Sequence, residues 1–247
     1  MVDGVRYISL DETDSTNAYA RSLPEGDCSS DCLTVVTADL QTAGRGQNGN
    51  SWESEPKKNL TFSVVCRPEF LLASGQFVLS QAMAISIREV LSDYFDDVKV
   101  KWPNDIYWKD KKISGTLIEC DLKGKSISRC VIGTGLNVNQ DLFLSDAPNP
   151  VSMTQVTGRE YDKEEVLDKV LARFLHYYRM LQNGKYDEIR GVYMDSLYRR
   201  EGLFPYADAE GEFYAEIFAL SHTGRLSLRR EDGMIKDYEF KEVRFII

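Results

Sequence analysis

The stretch Val98-Lys-Val-Lys-Trp-Pro-Asn-Asp-Ile-Tyr-Trp-Lys109 decides how the middle of this chain folds. Apolar and polar residues alternate over its first five positions, as they do in a half-buried β-strand. The Pro-Asn-Asp that follows makes a turn, because proline fixes φ and removes a backbone donor. Ile106 begins a second strand. The stretch therefore predicts a hairpin whose turn carries two polar side chains, Asn104 and Asp105.

Helices and strands alternate on both sides of this hairpin. Apolar spacing and turn residues predict further strands over 33–38, 60–66, 116–120 and 128–138, and helices over 16–23, 76–95, 162–183 and 186–197. Asp162 and Glu165 form a capping-box pattern at the start of the third of these helices. This mixture predicts one α/β domain of the α+β type, built on a mixed sheet over residues 1–199.

The pattern of the sequence changes after Glu201, from mixed helices and strands to short strands only. Short alternating segments at 212–219, 225–229 and 235–240 lie between turns that contain Gly211, Gly224 and Gly233. Regularly spaced short strands separated by glycine turns are typical of small β-barrels. We therefore predict a domain boundary near residue 199 and a second, small β domain over 200–247.

Composition excludes several classes of function. The chain has 247 residues, 43% hydrophobic and 28% charged, which is typical of a globular protein. Its 30 Lys and Arg against 39 Asp and Glu give a net charge of −9, which disfavours general nucleic-acid binding. Five Cys in a long chain indicate reduced thiols rather than a disulfide scaffold. Two His exclude a multi-His zinc site.

No segment has the pattern of a membrane span or a signal peptide. The most apolar stretch, 70–87, is interrupted by Ser, Gly and Gln, and an apolar core is missing from the first residues, Met1-Val-Asp-Gly-Val-Arg-Tyr7. We therefore expect a cytoplasmic protein.

Gly44-Arg-Gly-Gln-Asn-Gly49 matches the G-x-G-x-x-G motif of dinucleotide-binding loops, but the helix that should follow such a loop is not predicted. The residues after it contain Pro56 and no helical pattern, and a P-loop motif is absent from the sequence. The glycines can still bring backbone N–H groups close to an anion, and Arg45 can grip a carboxylate or phosphate. Trp52 offers a flat apolar face. The alternative is a solvated loop with one incidental arginine.

Lys112 follows Asp105 by seven residues, beside the apolar Ile113. A lysine there can act as a point charge on phosphate, or it can belong to an exposed hairpin tip. Ile132-Gly-Thr-Gly-Leu-Asn137 is a strand with two glycines, which indicates close approach of a ligand or a bulge. Glu119 lies on an apolar strand, where it can form an ion pair with a buried Lys or Arg.

In order, these segments resemble those of the biotin protein ligases, the catalytic part of the biotin operon repressor family. Glu12-Thr-Asp-Ser-Thr-Asn17 is similar to the family's opening "STN" segment, and Gln41-Thr-Ala-Gly-Arg-Gly46 to its glycine-rich loop. Lys101-Trp-Pro-Asn-Asp105 with Lys112, Gly115 and Glu119 resembles its "KWPND…K-x-x-G…E" block. The strand over 132–137 resembles its "IGxGxN" segment. Several ordered motifs are far more specific than any one alone.

The resemblance implies a fold and a reaction. The fold is the catalytic domain shared with class II aminoacyl-tRNA synthetases, followed by an SH3-like β-barrel. Biotin and ATP, with Mg²⁺, give biotinyl-5′-AMP and pyrophosphate. The biotin then passes to a lysine of a biotin carboxyl carrier protein, the acceptor domain of a carboxylase. Family members are often homodimers; neither a membrane nor a nucleic acid is expected as partner.

The resemblance also implies roles for individual residues. Lys112 and Arg45 are expected to stabilise charge at the α-phosphate, and Asp105 to orient or deprotonate the acceptor amine. Trp52 should cover the adenylate, and Mg²⁺ is expected near Asn104. The expected biotin contacts are Ser15, Thr16, Asn17, Gln41, Arg45, Gly46, Gln47, Lys112, Gly115 and Gly133. The expected ATP or adenylate contacts are Gly44, Arg45, Trp52, Asn104, Lys112 and Asn137.

Two features depart from the family pattern. Gln47 and Asn50 stand where the family loop usually has arginines, so we expect looser retention of biotinyl-AMP. Only ten residues precede Asp11, where bifunctional members carry a DNA-binding domain. We therefore expect a member that catalyses but does not repress.

Two other functions stay open at the level of sequence. A lipoate–protein ligase would share the fold and the adenylate chemistry, but it lacks the "KWPND" segment. A biotin-sensing protein without turnover would not need both Arg45 and Lys112.

Overall fold

The computed structural model describes residues 1–24, 32–46, 49–145 and 147–247. Its strands, in chain order, are β1 Val5–Thr13, β2 Leu33–Gln41, β3 Leu60–Cys66, β4 Val98–Lys101, β5 Asp105–Trp108, β6 Lys111–Lys123, β7 Ser126–Leu136, β8 Phe204–Asp208, β9 Gly211–Leu220, β10 Leu226–Arg230, β11 Ile235–Tyr238 and β12 Arg244–Phe245. Its α-helices are α1 Thr16–Ser22, α2 Phe77–Ser92, α3 Met153–Thr157, α4 Lys163–Gln182 and α5 Tyr186–Asp195, with a 3₁₀ turn at Ala73–Gly75.

The larger sheet has seven strands in the order β1-β2-β3-β7-β6-β5-β4. Strands β1 and β2 pair in parallel, and the other neighbours are antiparallel, which confirms the predicted mixed sheet. The predicted hairpin over 98–109 is the β4–β5 pair, with Lys101 opposite Asp105. Every residue of β3 is buried, as expected for a strand covered on both faces.

Helices cover both faces of this sheet. Helix α2 packs against α4, α5 and the β4–β6 strands, and its apolar residues form the main core with those of β3 and β7. Helix α1 packs against β2, β3 and β7, where Ala20, Val36, Val65 and Val131 form a separate small cluster. The Asp162 side chain accepts the Glu165 N–H at 3.1 Å, so it caps α4 as predicted. Among the described residues, no helix is long and apolar enough to cross a membrane.

The smaller sheet has five antiparallel strands in the order β11-β10-β9-β8-β12. It packs on the larger sheet through Trp102, whose indole N–H donates to the Gly224 carbonyl at 2.9 Å. The Trp102 and Phe240 rings lie 5.3 Å apart. The predicted boundary near residue 199 falls in the connection between α5 and β8 and stays a prediction.

Four elements were not foreseen from the sequence: β1, α3, β8 and β12. Strand β1 is rich in charged and polar residues because it lies at the edge of the sheet and only part of its surface is buried. Its pairing with β2 is a long-range contact that local patterning does not encode. Helix α2 ends at Ser92, before the predicted Phe95.

Candidate active site

One cavity of about 710 Å³ gathers most of the residues singled out in the sequence. It opens where the ends of β2, β5, β6 and β7 meet the beginning of α1. Of the predicted site residues, those that line it are Ser15, Thr16, Asn17, Gln41, Arg45, Gly46, Trp52, Asp105, Lys112, Gly115, Gly133 and Asn137. Gln47 lies outside the described residues, and Asn50 lines the cavity.

Lys112 and Asp105 form an ion pair at the centre of this cavity. Lys112 Nζ lies 2.7 Å from Asp105 Oδ1, and their side chains are 30% and 24% exposed. The β5–β6 pairing shifts register between Ile106 and Tyr107, so the two side chains meet although their residues are not direct cross-strand partners. Lys112 is therefore a half-buried cation with a local counter-ion, not the tip of a solvated hairpin.

Arg45 and Trp52 reach the cavity from a second direction. They lie on what we call the glycine hairpin, whose described arms are residues 44–46 and 49–52. The Gly46 N–H donates to the Asn50 carbonyl at 2.7 Å, and the Trp52 N–H to the Gly44 carbonyl at 3.0 Å. A Cβ at Gly44 would lie 2.6 Å from the Trp52 carbonyl oxygen, so this arm requires glycine.

The start of α1 forms a polar wall of the cavity. Thr16 donates to Gln41 Oε1 through its backbone N–H at 2.8 Å and its hydroxyl at 3.1 Å. Ser63 Oγ lies 2.6 Å from Asn17 Oδ1, and Asn17 Nδ2 donates to Glu119 at 2.9 Å. Glu119 also pairs with Arg21; the partner is a cation as the sequence suggested, but it is exposed and not buried.

Ser15 stands at the N-cap of α1, but its side chain makes no capping hydrogen bond. Ser15 is therefore the N-cap residue by position only. The Ser15 backbone N–H is held instead by Asp14 Oδ1 at 2.6 Å, and its buried hydroxyl lines the cavity.

Three glycines on β6 and β7 make room for the protein's own side chains. A Cβ at Gly133 would lie 2.0 Å from Asn17 Oδ1, and one at Gly135 2.2 Å from Trp52 Cε2. At Gly115 it would meet Lys112 Nζ at 3.1 Å and the Trp52 ring at 3.2 Å. For the two β7 glycines the sequence left a ligand or a bulge open; in this structure the neighbours of all three glycines are Asn17, Lys112 and Trp52.

Asn104 differs from its expected position. It is not among the cavity residues; its amide is buried and donates to Ser80 Oγ on α2 at 3.0 Å. The turn after β4 therefore directs Asp105 into the cavity and Asn104 into the core.

Asn137 Nδ2 donates to the Val151 carbonyl at 3.1 Å, while its buried Oδ1 has no partner within the described part of the chain. The Trp52 indole N–H is likewise buried without an acceptor there.

Several cavity residues had no role assigned to them from the sequence. Lys101, directly before the Trp-Pro-Asn-Asp turn, lies 5.1 Å from the ring centroids of both Tyr107 and Phe245. Burial lowers the pKa of Lys101, although Asp105 opposes this shift. Lys241 lines the cavity from the smaller sheet, and Glu53 lines it directly after Trp52. The described residues contain no cluster of three or more His, Cys, Asp or Glu that could hold a metal ion.

Comparison with known proteins defines the class of this fold. It matches the structure of "Biotin protein ligase from Aquifex aeolicus in complex with biotin and ATP" with a TM-score of 0.80 and 28% identity, covering 98% of this chain and 99% of that one. The family model described as "Biotin/lipoate A/B protein ligase family" matches residues 10–137. The chain belongs to this family.

Two curated relatives show how far the similarity extends. The "Biotin--[acetyl-CoA-carboxylase] ligase" of Paracoccus denitrificans is 31% identical, over 91% of this chain and 94% of the relative. The "Bifunctional ligase/repressor BirA" of Salmonella typhimurium is 32% identical, over 98% of this chain and 75% of the relative. The similarity therefore includes the smaller sheet as well as the cavity.

Proposed function

We propose that this chain is a biotin protein ligase, which activates biotin with ATP and transfers it to a lysine of a carrier protein. The observation that carries the proposal is the convergence of Arg45 and Lys112 on one cavity that also has a polar wall. Two anions, a carboxylate and a triphosphate, repel each other, so an enzyme that joins them needs fixed positive charge between them.

In the first step, a carboxylate oxygen of biotin attacks the α-phosphorus of ATP. A C–O–P bond forms, and the bond to pyrophosphate breaks. Lys112 exchanges Asp105 for the oxygens of the α-phosphate and the carboxylate, and Arg45 contributes its guanidinium from the glycine hairpin. Mg²⁺ bound to the ATP phosphates would supply further positive charge there.

In the second step, the ε-amine of the acceptor lysine attacks the acyl carbon of biotinyl-AMP, and AMP leaves. The amine must lose its proton before or during the attack. Asp105 is suited to receive or orient it, because its carboxylate reaches the cavity and becomes free when Lys112 turns to the phosphate.

The polar wall favours biotin over lipoate. The ureido ring of biotin offers two N–H donors and one carbonyl acceptor, whereas the dithiolane ring of lipoate offers neither. Thr16, Asn17 and Gln41 line the cavity side by side and can satisfy such a ring. A dithiolane ring would gain no hydrogen bond from these side chains, whereas a typical hydrogen bond contributes about 0.5–1.5 kcal/mol, which supports discrimination.

The carrier protein is the proposed macromolecular partner. The edge strand β1 of the larger sheet is a candidate for docking that carrier or for forming a homodimer, whereas the outer edge of β4 is bonded to residues 196–198. The net charge of −9 argues against nucleic acid as a partner. We propose a cytoplasmic enzyme, because its substrates ATP and a carboxylase carrier are found there.

Isotope exchange between pyrophosphate and ATP tests the proposal. We expect exchange that depends on biotin and is not supported by lipoate, followed by a mass increase of a biotin carrier domain incubated with biotin and Mg·ATP. Exchange with lipoate alone would overturn the choice of substrate. Binding of biotin without exchange would indicate a biotin-sensing protein instead.

A further inference from the structure

Glu53 holds together two segments that border the cavity. Its Oε1 accepts from Gln140 Nε2 at 3.0 Å and from the Leu144 N–H at 2.9 Å, and its Oε2 accepts from the Ser145 N–H at 2.7 Å. Every one of these partners is a donor. Burial alone would raise the pKa of Glu53, but these hydrogen bonds and one from the Ser145 side chain outweigh it and lower the pKa. The contacts therefore favour the ionised carboxylate.

On one side, Glu53 fixes the outgoing arm of the glycine hairpin. It follows Trp52 directly, and Trp52 is bonded through its backbone to Gly44, beside Arg45. The Trp52 ring packs over Gly115 and Gly135 on the strands below. The incoming arm is held separately, since the Thr42 and Ala43 N–H groups donate to carbonyls at residues 13 and 14. The residues before Gly44 are thus anchored, and a shift of Glu53 would move Trp52 together with the Trp52–Gly44 and Gly46–Asn50 hydrogen bonds that flank Arg45.

On the other side, Glu53 is hydrogen-bonded to what we call the cavity strap, residues 140–145 and 147–151. The strap pairs with the backbone of Lys112: the Lys112 N–H donates to the Asn149 carbonyl, and the Val151 N–H to the Lys112 carbonyl, both at 2.9 Å. Its first residue, Gln140, is buried and accepts the Glu55 N–H at 3.0 Å. The strap thus contacts the Glu53 carboxylate at residues 144 and 145 and the strand that carries Lys112 at residues 149 and 151.

We propose that Glu53 is a positioning residue for adenylation, which sets Arg45 and Trp52 relative to Lys112 by tying the glycine hairpin to the cavity strap. The inference rests on the proposed function and deepens it. Glu53 itself does not touch the reacting atoms. Its role is to keep Arg45, Lys112 and the Trp52 ring at fixed positions around the intermediate. Biotinyl-AMP is then retained until the acceptor lysine arrives.

The test compares Glu53→Ala and Glu53→Gln with the matched control Glu55→Gln. The Glu55 side chain is exposed and makes no contact that the structure records. Biotinyl-AMP is formed on each protein from biotin and Mg·ATP with pyrophosphatase present, and its release is followed by trapping with hydroxylamine. We expect Glu53→Ala to release it about tenfold faster than wild type, equivalent to about 1.4 kcal/mol.

Glu53→Gln keeps one acceptor oxygen but points an amide N–H₂ at donors, so its release rate should lie between those of wild type and Glu53→Ala. The KM for biotin should hardly change, because the polar wall of Thr16, Asn17 and Gln41 does not depend on Glu53. A purely structural role would lower the melting temperature and raise every KM together. Glu53→Gln preserves the side-chain volume, so its release rate can be measured even if the alanine variant fails to fold.

The outcomes separate this inference from the proposed function. If wild type forms biotinyl-AMP but both Glu53 variants release it no faster than Glu55→Gln, the positioning role is overturned and the proposed function stands. If wild type forms no biotinyl-AMP, the proposed function fails and this inference fails with it.

Discussion

The floor and the roof of the cavity are built in different ways. The floor consists of β3, β6 and β7, whose backbones form continuous antiparallel ladders and whose Ser63, Thr116 and Thr134 side chains are buried. The roof consists of the glycine hairpin and the cavity strap, which are joined by side-chain hydrogen bonds from Glu53 and Gln140. Lys112 belongs to the floor and Arg45 to the roof.

This difference indicates a division of labour. A continuous backbone ladder opens less readily than segments held by a few side-chain bonds, which open locally at lower free energy. The floor can therefore fix the position at which charge develops, and the roof can admit substrates and close around the intermediate. Four experiments test this division between floor and roof.

The largest effect is expected from Lys112→Ala in the floor. Removing a fixed charge at the α-phosphate should lower the rate of biotin-dependent pyrophosphate exchange by about 10²–10³-fold, as loss of an oxyanion-stabilising donor typically does. The control is Lys111→Ala, at the exposed neighbouring position, which should keep near wild-type exchange. Equal activity of the two variants would remove Lys112 from the mechanism.

The next effect concerns the packing of the floor. In Gly133→Ala the new methyl group overlaps Asn17 Oδ1, whose amide is buried between Ser63 and Glu119. We expect a loss of roughly 1–3 kcal/mol in the free energy of unfolding, together with a higher KM for biotin. Denaturant unfolding measures the first quantity and exchange kinetics the second.

The control for Gly133 is Gly191→Ala, within helix α5. A Cβ there meets no atom within 4 Å, so alanine should stabilise the helix by about 0.5–1 kcal/mol. If both glycine variants gained stability, the close approach between Gly133 and Asn17 would not exist in solution.

A smaller effect is expected from Arg45→Ala in the roof. Arg45 is exposed, so its contribution is partly screened by water and salt, and we expect a loss of about tenfold in exchange rate. The rate of the wild type should fall more steeply with added salt than that of the variant. An identical salt dependence would argue that Arg45 does not act through its charge.

The smallest effect should appear in hydrogen exchange. Without ligand, the amides of Gly46 and Trp52 in the roof should exchange faster than those of β3 in the floor. Biotin with Mg·ATP should slow the roof amides roughly threefold or more while leaving β3 unchanged. Mass spectrometry of peptides from the two regions measures both. Equal protection of roof and floor without ligand would contradict the division drawn above.

Much of the fold could be predicted from local pattern. The continuous apolar run of β3 and the apolar spacing of α2 need no tertiary information, and both elements lie close to where the sequence puts them. Strand β1 could not be found in this way, because a half-exposed edge strand is defined by its partner β2 and not by its own composition.

The candidate site was predictable to the extent that its chemistry is carried by motifs. Arg45, Asp105 and Lys112 were identified as residues, and the structure brings them to one cavity. Asn104 was expected beside Asp105 in the cavity, but neighbouring residues at a turn can face opposite ways, and only packing against Ser80 decides which does. Glu53 and Lys241 carry no local signal at all.

The mixed α/β class, the elements with strong apolar periodicity, and the cationic and polar residue types that the proposed adenylation needs can all be read from the sequence. These depend on the chemistry of single residues and on spacing within a few turns of the chain. The ion pair between Lys112 and Asp105, the close approach of Gly133 and Asn17, and the bond of Glu53 to the cavity strap are visible only in the folded molecule. Those depend on which distant segments meet, which is set by burial of the whole core and not by any one stretch.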